Sequence, residues 1–279
     1  MANASPELVA RLERAEGAAL VDVYTAERRA GDPDLGPRSA TFGGGLAVAL
    51  TALDNASFNR ILGFGSLGPT TRADVEAGSA FFRDAGLRQS LIQVPNEATT
   101  PDLAAWLTDA GYRKSRNWVK LWHPLEEVRE AATDLRVERI GPEHADAFAD
   151  IVVDAMEFPR EVAPMAAAIV GANGWHHYVG FDGDTPVAAG AMHVEGDTAW
   201  IGFGSTREAA RGRGGQSAIF ARRLRDAKDL GCTLAVVETG EETEEDPVNP
   251  SYRNMLRSGF TLAYARPNWV RIEDAPAAG

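Results

Sequence analysis

Three glycines in four positions, Gly212, Gly214 and Gly215, lie in the stretch Ala210-Arg-Gly-Arg-Gly-Gly-Gln-Ser217. An apolar strand pattern, Ala199-Trp-Ile-Gly-Phe-Gly-Ser205, precedes it, and an amphipathic helical pattern from about Gln216 to Leu230 follows. Glycines at such a junction strip side chains from a helix N-terminus. Its free N–H groups can then converge on an anion, and the helix dipole favours negative charge there. Arg211 and Arg213 flank this nest and can add charge-assisted bonds to phosphate oxygens. A pyrophosphate-bearing ligand is the natural expectation, and the order of surrounding elements decides which.

That order is readable from about Leu135 onward. Leu135–Ile140 is a short strand. Pro142 opens a helix with Phe148, Ile151, Val152 and Ala155 at helical spacing, and a second helical stretch carries Val162, Met165, Ile169 and Val170. Trp175–Phe181, Val187–Val194 and Thr198–Ser205 read as three strands joined by the turn signals Asp182-Gly-Asp184 and Glu195-Gly-Asp197. An antiparallel meander therefore feeds the glycine loop. In the following helix, Phe220, Leu224 and Ala227 are expected to face the sheet, and Arg222, Arg223 and Arg225 to face water. Cys232–Thr239 has the flat apolar run of a buried strand. An acidic loop, Gly240–Asp246, leads to a helix opened by Asn249-Pro250-Ser251 and closed by Gly259. Two strands containing Phe260–Tyr264 and Trp269–Ile272 finish the pattern.

The first half echoes this plan. Gly63-Phe-Gly-Ser66 matches Gly202-Phe-Gly-Ser205, Arg83-Asp-Ala85 matches Arg225-Asp-Ala227, and Asn117-Trp-Val119 matches Asn268-Trp-Val270. The three matches keep their order and nearly the same offset, so two copies of one fold in tandem are expected. The expected division is a degenerate copy over 1–123, a helical charged linker over 124–134, an intact copy over 135–274 and a frayed tail over 275–279. In the first copy Leu67-Gly-Pro-Thr-Thr71 replaces the arginine–glycine nest, and Pro69 lacks an N–H. Phosphate binding is expected to be lost there.

Composition removes several classes of function. The 279 residues are 44% hydrophobic, enough for one large or two modest cores. With 28 Lys and Arg against 40 Asp and Glu, the formal net charge is −12, which disfavours nucleic acid and anionic membranes as partners. It suits neutral or cationic small molecules and equally serves solubility. The single cysteine, Cys232, permits no intrachain disulfide and is expected in a core. No secretion-type leader opens the sequence, and no run approaches the roughly 20 apolar residues of a membrane span, so a cytoplasmic location is expected. No cluster has zinc-ligand spacing, so no metal is expected.

Arg211-x-x-Gly214 at a strand-to-helix junction, Asn249 one strand later, and a helix ending in Gly259-Phe260 together resemble the GNAT (Gcn5-related) N-acyltransferases. The likeness covers about Arg136 to Ile272. It departs at Gln216, where the family usually carries glycine or alanine, and this longer side chain is expected to add bulk near the phosphates. The resemblance implies an α/β (α+β) architecture of tandem GNAT-like acyl-CoA N-acyltransferase folds, each a mixed, mostly antiparallel sheet flanked by helices. It implies acetyl-CoA as co-substrate and a primary amine as acceptor, with direct transfer in a ternary complex. Coenzyme A would lie on the N–H groups of Arg211, Gly212, Arg213, Gly214, Gly215, Gln216 and Ser217. Its pantetheine arm would run along Gly204, Ser205 and Thr206, and Asn249, Ser251 and Arg253 would form the second cofactor-contacting segment.

Such chemistry needs alignment of a neutral amine, polarisation of a carbonyl and a proton for the leaving thiolate. Family members often place an acid tyrosine four residues before Gly-Phe; here that place is Met255, and Tyr252, one turn earlier, is the substitute. Glu238, closing the apolar strand, is the expected base, in a setting that would raise a carboxylate pKa. His193 is a weaker alternative. The acidic loop Glu241–Asp246 could attract a cationic amine or simply be solvated. Two other readings stay open. A dinucleotide site matches Gly212-x-Gly214 but has Ser217 in place of the third glycine. A non-catalytic acyl-CoA sensor or scaffold fits the missing tyrosine. The acceptor's identity and homodimer formation are left open by the residues.

Overall fold

A computed structural model describes residues 4–95 and 101–273; the tail expected to fray lies outside the described residues. The chain forms two compact units. The first comprises Met1–Tyr24, Asp34–Val119 and Ala263–Gly279, and the second Thr25–Pro33 and Lys120–Leu262. These are not the contiguous halves expected from sequence. Residues 263–272, placed there in the second copy, belong to the first unit, and the segment 124–134 is irregular rather than helical.

The first unit opens with α1 (Pro6–Thr25), which buries Val9, Leu12, Glu16, Ala19, Leu20 and Val23 at helical spacing. Strands β1 (Pro37–Phe42) and β2 (Gly45–Leu50) form a hairpin closed by Gly43-Gly44. Both glycines have positive φ, as a two-residue turn matching strand twist requires. β3 (Arg60–Leu62) pairs antiparallel with β2. After α2 (Arg72–Arg83), β4 (Gln89–Gln93) returns parallel to β3. Helix α3 (Leu103–Asp109) and β5 (Arg113–Lys114) follow. Then β6 (Trp118–His123) carries the chain across the division, which falls between Val119 and Lys120.

The second sequence repeat follows the same order, with one strand added at its start and two helices in the place of α1. β7 (Arg136–Ile140) precedes α4 (Ala145–Met156) and α5 (Ala163–Ala168). The meander β8 (Trp175–Asp182), β9 (Thr185–Glu195) and β10 (Thr198–Thr206) is antiparallel throughout. Helix α6 (Gly215–Asp229) then crosses to β11 (Leu234–Gly240), parallel to β10. Helix α7 (Pro250–Arg257), β12 (Thr261–Arg266) and β13 (Asn268–Ile272) complete the chain. Phe148 of α4 meets His177, whereas Asp226 of α6 accepts from the Tyr178 hydroxyl at 2.8 Å. Adjacent strand residues point to opposite faces, so these helices cover opposite sides of the sheet.

The strand orders are β1-β2-β3-β4-β13-β5 and β12-β6-β11-β10-β9-β8-β7. Each final strand of one sequence repeat thus sits inside the sheet built by the other. β13 pairs with β4 over five residues, Asn268 opposite Gln93 through Ile272 opposite Gln89, and with β5 on its other edge. The repeated Asn-Trp-Val motif marks these two exchanged strands.

Under α4 lies a row of cross-strand neighbours, Trp175, His193 and Trp200, with His177 stacked on Trp175 at 5.6 Å. His177 is 1% exposed, and neither ring nitrogen has a hydrogen-bond partner. Burial pulls its pKa down to about 3, and His176 and Arg139 add to the shift. The folded state therefore keeps His177 neutral, while the unfolded chain takes up its proton below about pH 6.5. No cost arises above that pH. Below it, stability is expected to fall by up to about 1.4 kcal/mol per pH unit until about pH 3. Urea unfolding at pH 7.5, 5.5 and 4.5 should show this slope, reduced by one proton's worth in His177→Phe. An unchanged slope in that variant would sink the assignment.

Candidate functional site

β10 and β11 pair only from Thr198–Trp200 with Leu234–Val236. Beyond that they diverge. On the other edge of β10 the register with β9 breaks between Gly202 and Ser205. Phe203 inside this bulge has φ of 55°, a conformation few non-glycine residues adopt. Divergence and bulge together open a cleft of about 790 Å³. It is bounded by the bulge, the glycine loop, α6, the end of β11, α7 and the C-terminal end of α4.

The glycine loop is built as the sequence implies. Gly212 and Gly214 have φ of 80° and 78°, and Gly214 is the N-cap of α6. No side chain caps that helix, and its first turn holds no acidic residue. None of the loop and cap hydrogen bonds uses an N–H between Gly212 and Ser217. An anion can therefore take them without displacing a protein group. The equivalent loop of the first unit is closed by its own atoms. Thr70 Oγ1 accepts from Gly65 N and donates to Gly43 O, and Ser66 N and Leu67 N both donate to Gly63 O. Asp74 completes a capping box with Thr71 and puts a carboxylate at the N-terminus of α2. The place an anion would take is already occupied by one.

Of the residues singled out in the sequence, Gly204, Ser205, Thr206, Arg211, Gly212, Gly214, Gly215, Gln216, Ser217, Glu238 and Ser251 line the cleft. Arg213, Asn249, Tyr252 and Arg253 do not. Arg213 is held between two carboxylates, at 2.6 Å from both Asp134 Oδ2 and Asp182 Oδ2. The pair of hydrogen bonds lowers both acids below the usual range and raises the guanidinium. Its role is to pin the loop, assisted by Thr133 Oγ1, which donates to Arg213 O at 2.8 Å. Arg253 is likewise taken, by Glu242 and the carbonyl of Pro247, both at 2.8 Å. Asn249 caps α7 by accepting from Tyr252 N, and its Nδ2 donates to Thr239 Oγ1 and Gly240 O, tying α7 to the end of β11. Burial raises the Tyr252 pKa, and Glu242 and Glu241 push the same way, so it is a poor proton donor off the cleft.

Three further corrections concern chemistry. Glu238 lines the cleft, but the isolated apolar setting expected for it is absent: its Oε2 lies 3.4 Å from the fully buried Lys120 ammonium. His193 is buried against Trp175 rather than in the cleft. Gln216 does not crowd the phosphate end. Its Nε2 turns to Ser205 O, Thr206 Oγ1 and Ala189 O at 2.6, 3.0 and 3.1 Å. That fastens the bulge to β9 through the carbonyls of Ser205 and Ala189. Met255, at the place of the family's acid, does line the cleft and supplies no proton.

Two cleft residues escaped the sequence reading. Asn254 Oδ1 accepts from Ser217 Oγ at 2.6 Å, joining α7 to the first turn of α6. Arg223, expected in water, is fully buried and lines the cleft. Its spacing three residues after Phe220 was the available signal, outweighed by its charge. Among the described residues no group of three His, Cys, Asp or Glu is placed to hold a metal, and no helix is long and apolar enough to cross a membrane.

No family model and no curated protein matches the chain. Solved structures match nearly all of it. A GCN5-related N-acetyltransferase from Kribbella flavida is 18% identical, with 96% of both chains covered and a TM-score of 0.66. One from Sphaerobacter thermophilus is 17% identical, covering 97% of this chain and 95% of that one, at 0.60. A tandem GNAT protein from the clavulanic acid biosynthesis pathway is 14% identical, covering 96% and 98%, at 0.58. The nest at α6, the splayed β10 and β11 and the duplicated strand order thus have one common description: the chain has the GNAT acetyltransferase fold, in tandem form.

Proposed function

We propose that the second unit is an acyl-CoA-dependent N-acyltransferase that moves an acetyl or related acyl group to a primary amine by direct transfer in a ternary complex. The observation that carries this is the uncapped N-terminus of α6 opening into the cleft between β10 and β11. The thioester supplies an already activated carbonyl; the protein supplies position and charge. The N–H groups from Gly212 to Ser217 hold the diphosphate, with Arg211 beside them. Phe203 and Gly204, inside the bulge, offer backbone groups to the amide-bearing arm. Glu238 faces the cleft, where its carboxylate accepts the proton that the attacking amine loses. The neighbouring Lys120 ammonium, 3.4 Å from that carboxylate, fixes its position in the cleft wall. With Met255 in the acid's place, water protonates the departing thiolate.

Binding without transfer is the second reading, favoured by Met255 and by the engaged Arg213 and Arg253. Incubation with acetyl-CoA and a broad panel of small primary amines, followed for free thiol, separates the two. Transfer should appear as amine-dependent thiol release, reduced at least tenfold in Glu238→Gln. Tight acetyl-CoA binding with no thiol release across the panel would establish a sensor instead.

A further inference from the structure

The face of α6 that runs from the glycine loop into the cleft carries Gln216, Phe220 and Arg223, one and two turns apart. Arg223 is buried completely, yet no carboxylate pairs with it. Its Nη1 donates to Ala191 O at 3.0 Å and Gly202 O at 2.9 Å, and its Nε lies 3.4 Å from Ile219 O. Nη2 is buried and has no hydrogen-bond partner. The Phe220 ring, 4.6 Å from the guanidinium carbon, gives a partial cation–π contact.

A buried cation without a counter-ion is costly, and an unsatisfied donor adds to the cost. The surroundings nevertheless accommodate it. A β-carbon at Gly190 would lie 3.0 Å from the guanidinium carbon, so glycine makes room there. The Gly202 carbonyl it holds stands at the edge of the register break, where the β9–β10 ladder stops. Helix, bulge and glycine together seat a positive charge against the cleft and leave one of its nitrogens buried without a partner. Guanidinium donors suit carboxylates. Arg223 is eight residues beyond Gly215, about 12 Å along the helix, so a thiol-bearing nucleotide with its diphosphate on the loop brings its acyl end toward it.

We propose that Arg223 selects the acyl group: the second unit takes acyl-CoA donors whose acyl chain ends in a carboxylate, which Nη2 of Arg223 binds. This rests on the reading of the cleft as a CoA site. Calorimetry on the full chain with CoA, acetyl-CoA, malonyl-CoA and succinyl-CoA tests it. At least one of the dicarboxylic donors should bind roughly ten- to a hundredfold more tightly than acetyl-CoA, the gain of a hydrogen bond to a charged group. That ratio should collapse to about one in Arg223→Met and survive in part in Arg223→Lys. If the methionine variant does not fold, the wild-type ratio decides. Equal affinity of the wild type for acetyl-CoA and both dicarboxylic donors overturns the inference alone, as does a ratio unchanged in folded Arg223→Met. No heat with any of the four ligands overturns the CoA reading and this inference with it.

Discussion

Replacing Arg266 by methionine is expected to destabilise the first unit by about 3–5 kcal/mol. Arg266, Glu13 and Glu16 are all fully buried. The guanidinium lies 3.1 Å from Glu13 Oε2 and 2.6 Å from Glu16 Oε2, and the Tyr264 hydroxyl donates to Glu13 Oε1 at 2.7 Å. Removing the cation takes the shared partner from two fully buried carboxylates, and Arg60 Nη1 stands 3.9 Å from Glu16 Oε1. The expected loss is a large fraction of a typical domain's 5–15 kcal/mol. A loss of unfolding free energy below about 1 kcal/mol for Arg266→Met in urea titration would contradict it. The triple change Glu13→Gln, Glu16→Gln, Arg266→Met should recover much of the loss, because breaking a buried pair costs more than replacing it. The same geometry predicts that residues 1–123 alone will not fold, since β13 is an interior strand of that sheet.

Gly214→Glu is expected to lower CoA affinity at least a hundredfold, and Gly212→Ala less than tenfold, although both positions have nearly the same positive φ. The difference lies in what a side chain meets. A β-carbon at Gly212 has open space, so only the left-handed backbone opposes it, by about 1–2 kcal/mol. One at Gly214 would overlap the carbonyl oxygen of Ala132, so the loop itself must move, and the carboxylate then adds like charge to the diphosphate site. Gly68→Glu, in the closed loop of the first unit, should leave affinity unchanged. Calorimetry with CoA on the three folded variants checks the order. Equal loss at 68 and 214 would mean that the nest is not the site.

Much of the candidate site's framework was legible because it is local. Glycines at a strand-to-helix junction, the meander before them and the flat strand after them are short-range patterns, and each element stands within a few residues of its expected place. The fates of charged side chains were not legible in the same way. Arg213 reads as a phosphate ligand until Asp134 and Asp182, distant in sequence, converge on it. Glu238 reads as an isolated carboxylate until Lys120 of β6 arrives at 3.4 Å. Arg223 reads as a solvated charge until the bulge presents carbonyls to it.

Period, turn chemistry and internal repetition, all carried by neighbouring residues, determined that this chain makes two copies of one α/β plan and that only the second keeps an open anion nest. Which sheet receives which final strand was decided in three dimensions. β6 and β13 carry nearly the same Asn-Trp-Val edge, so either sheet can accept either strand by local preference. The choice falls to long-range pairing and to the buried triad of Arg266, Glu13 and Glu16. Side-chain charge acts through space, and its partners are set by the fold rather than by spacing along the chain.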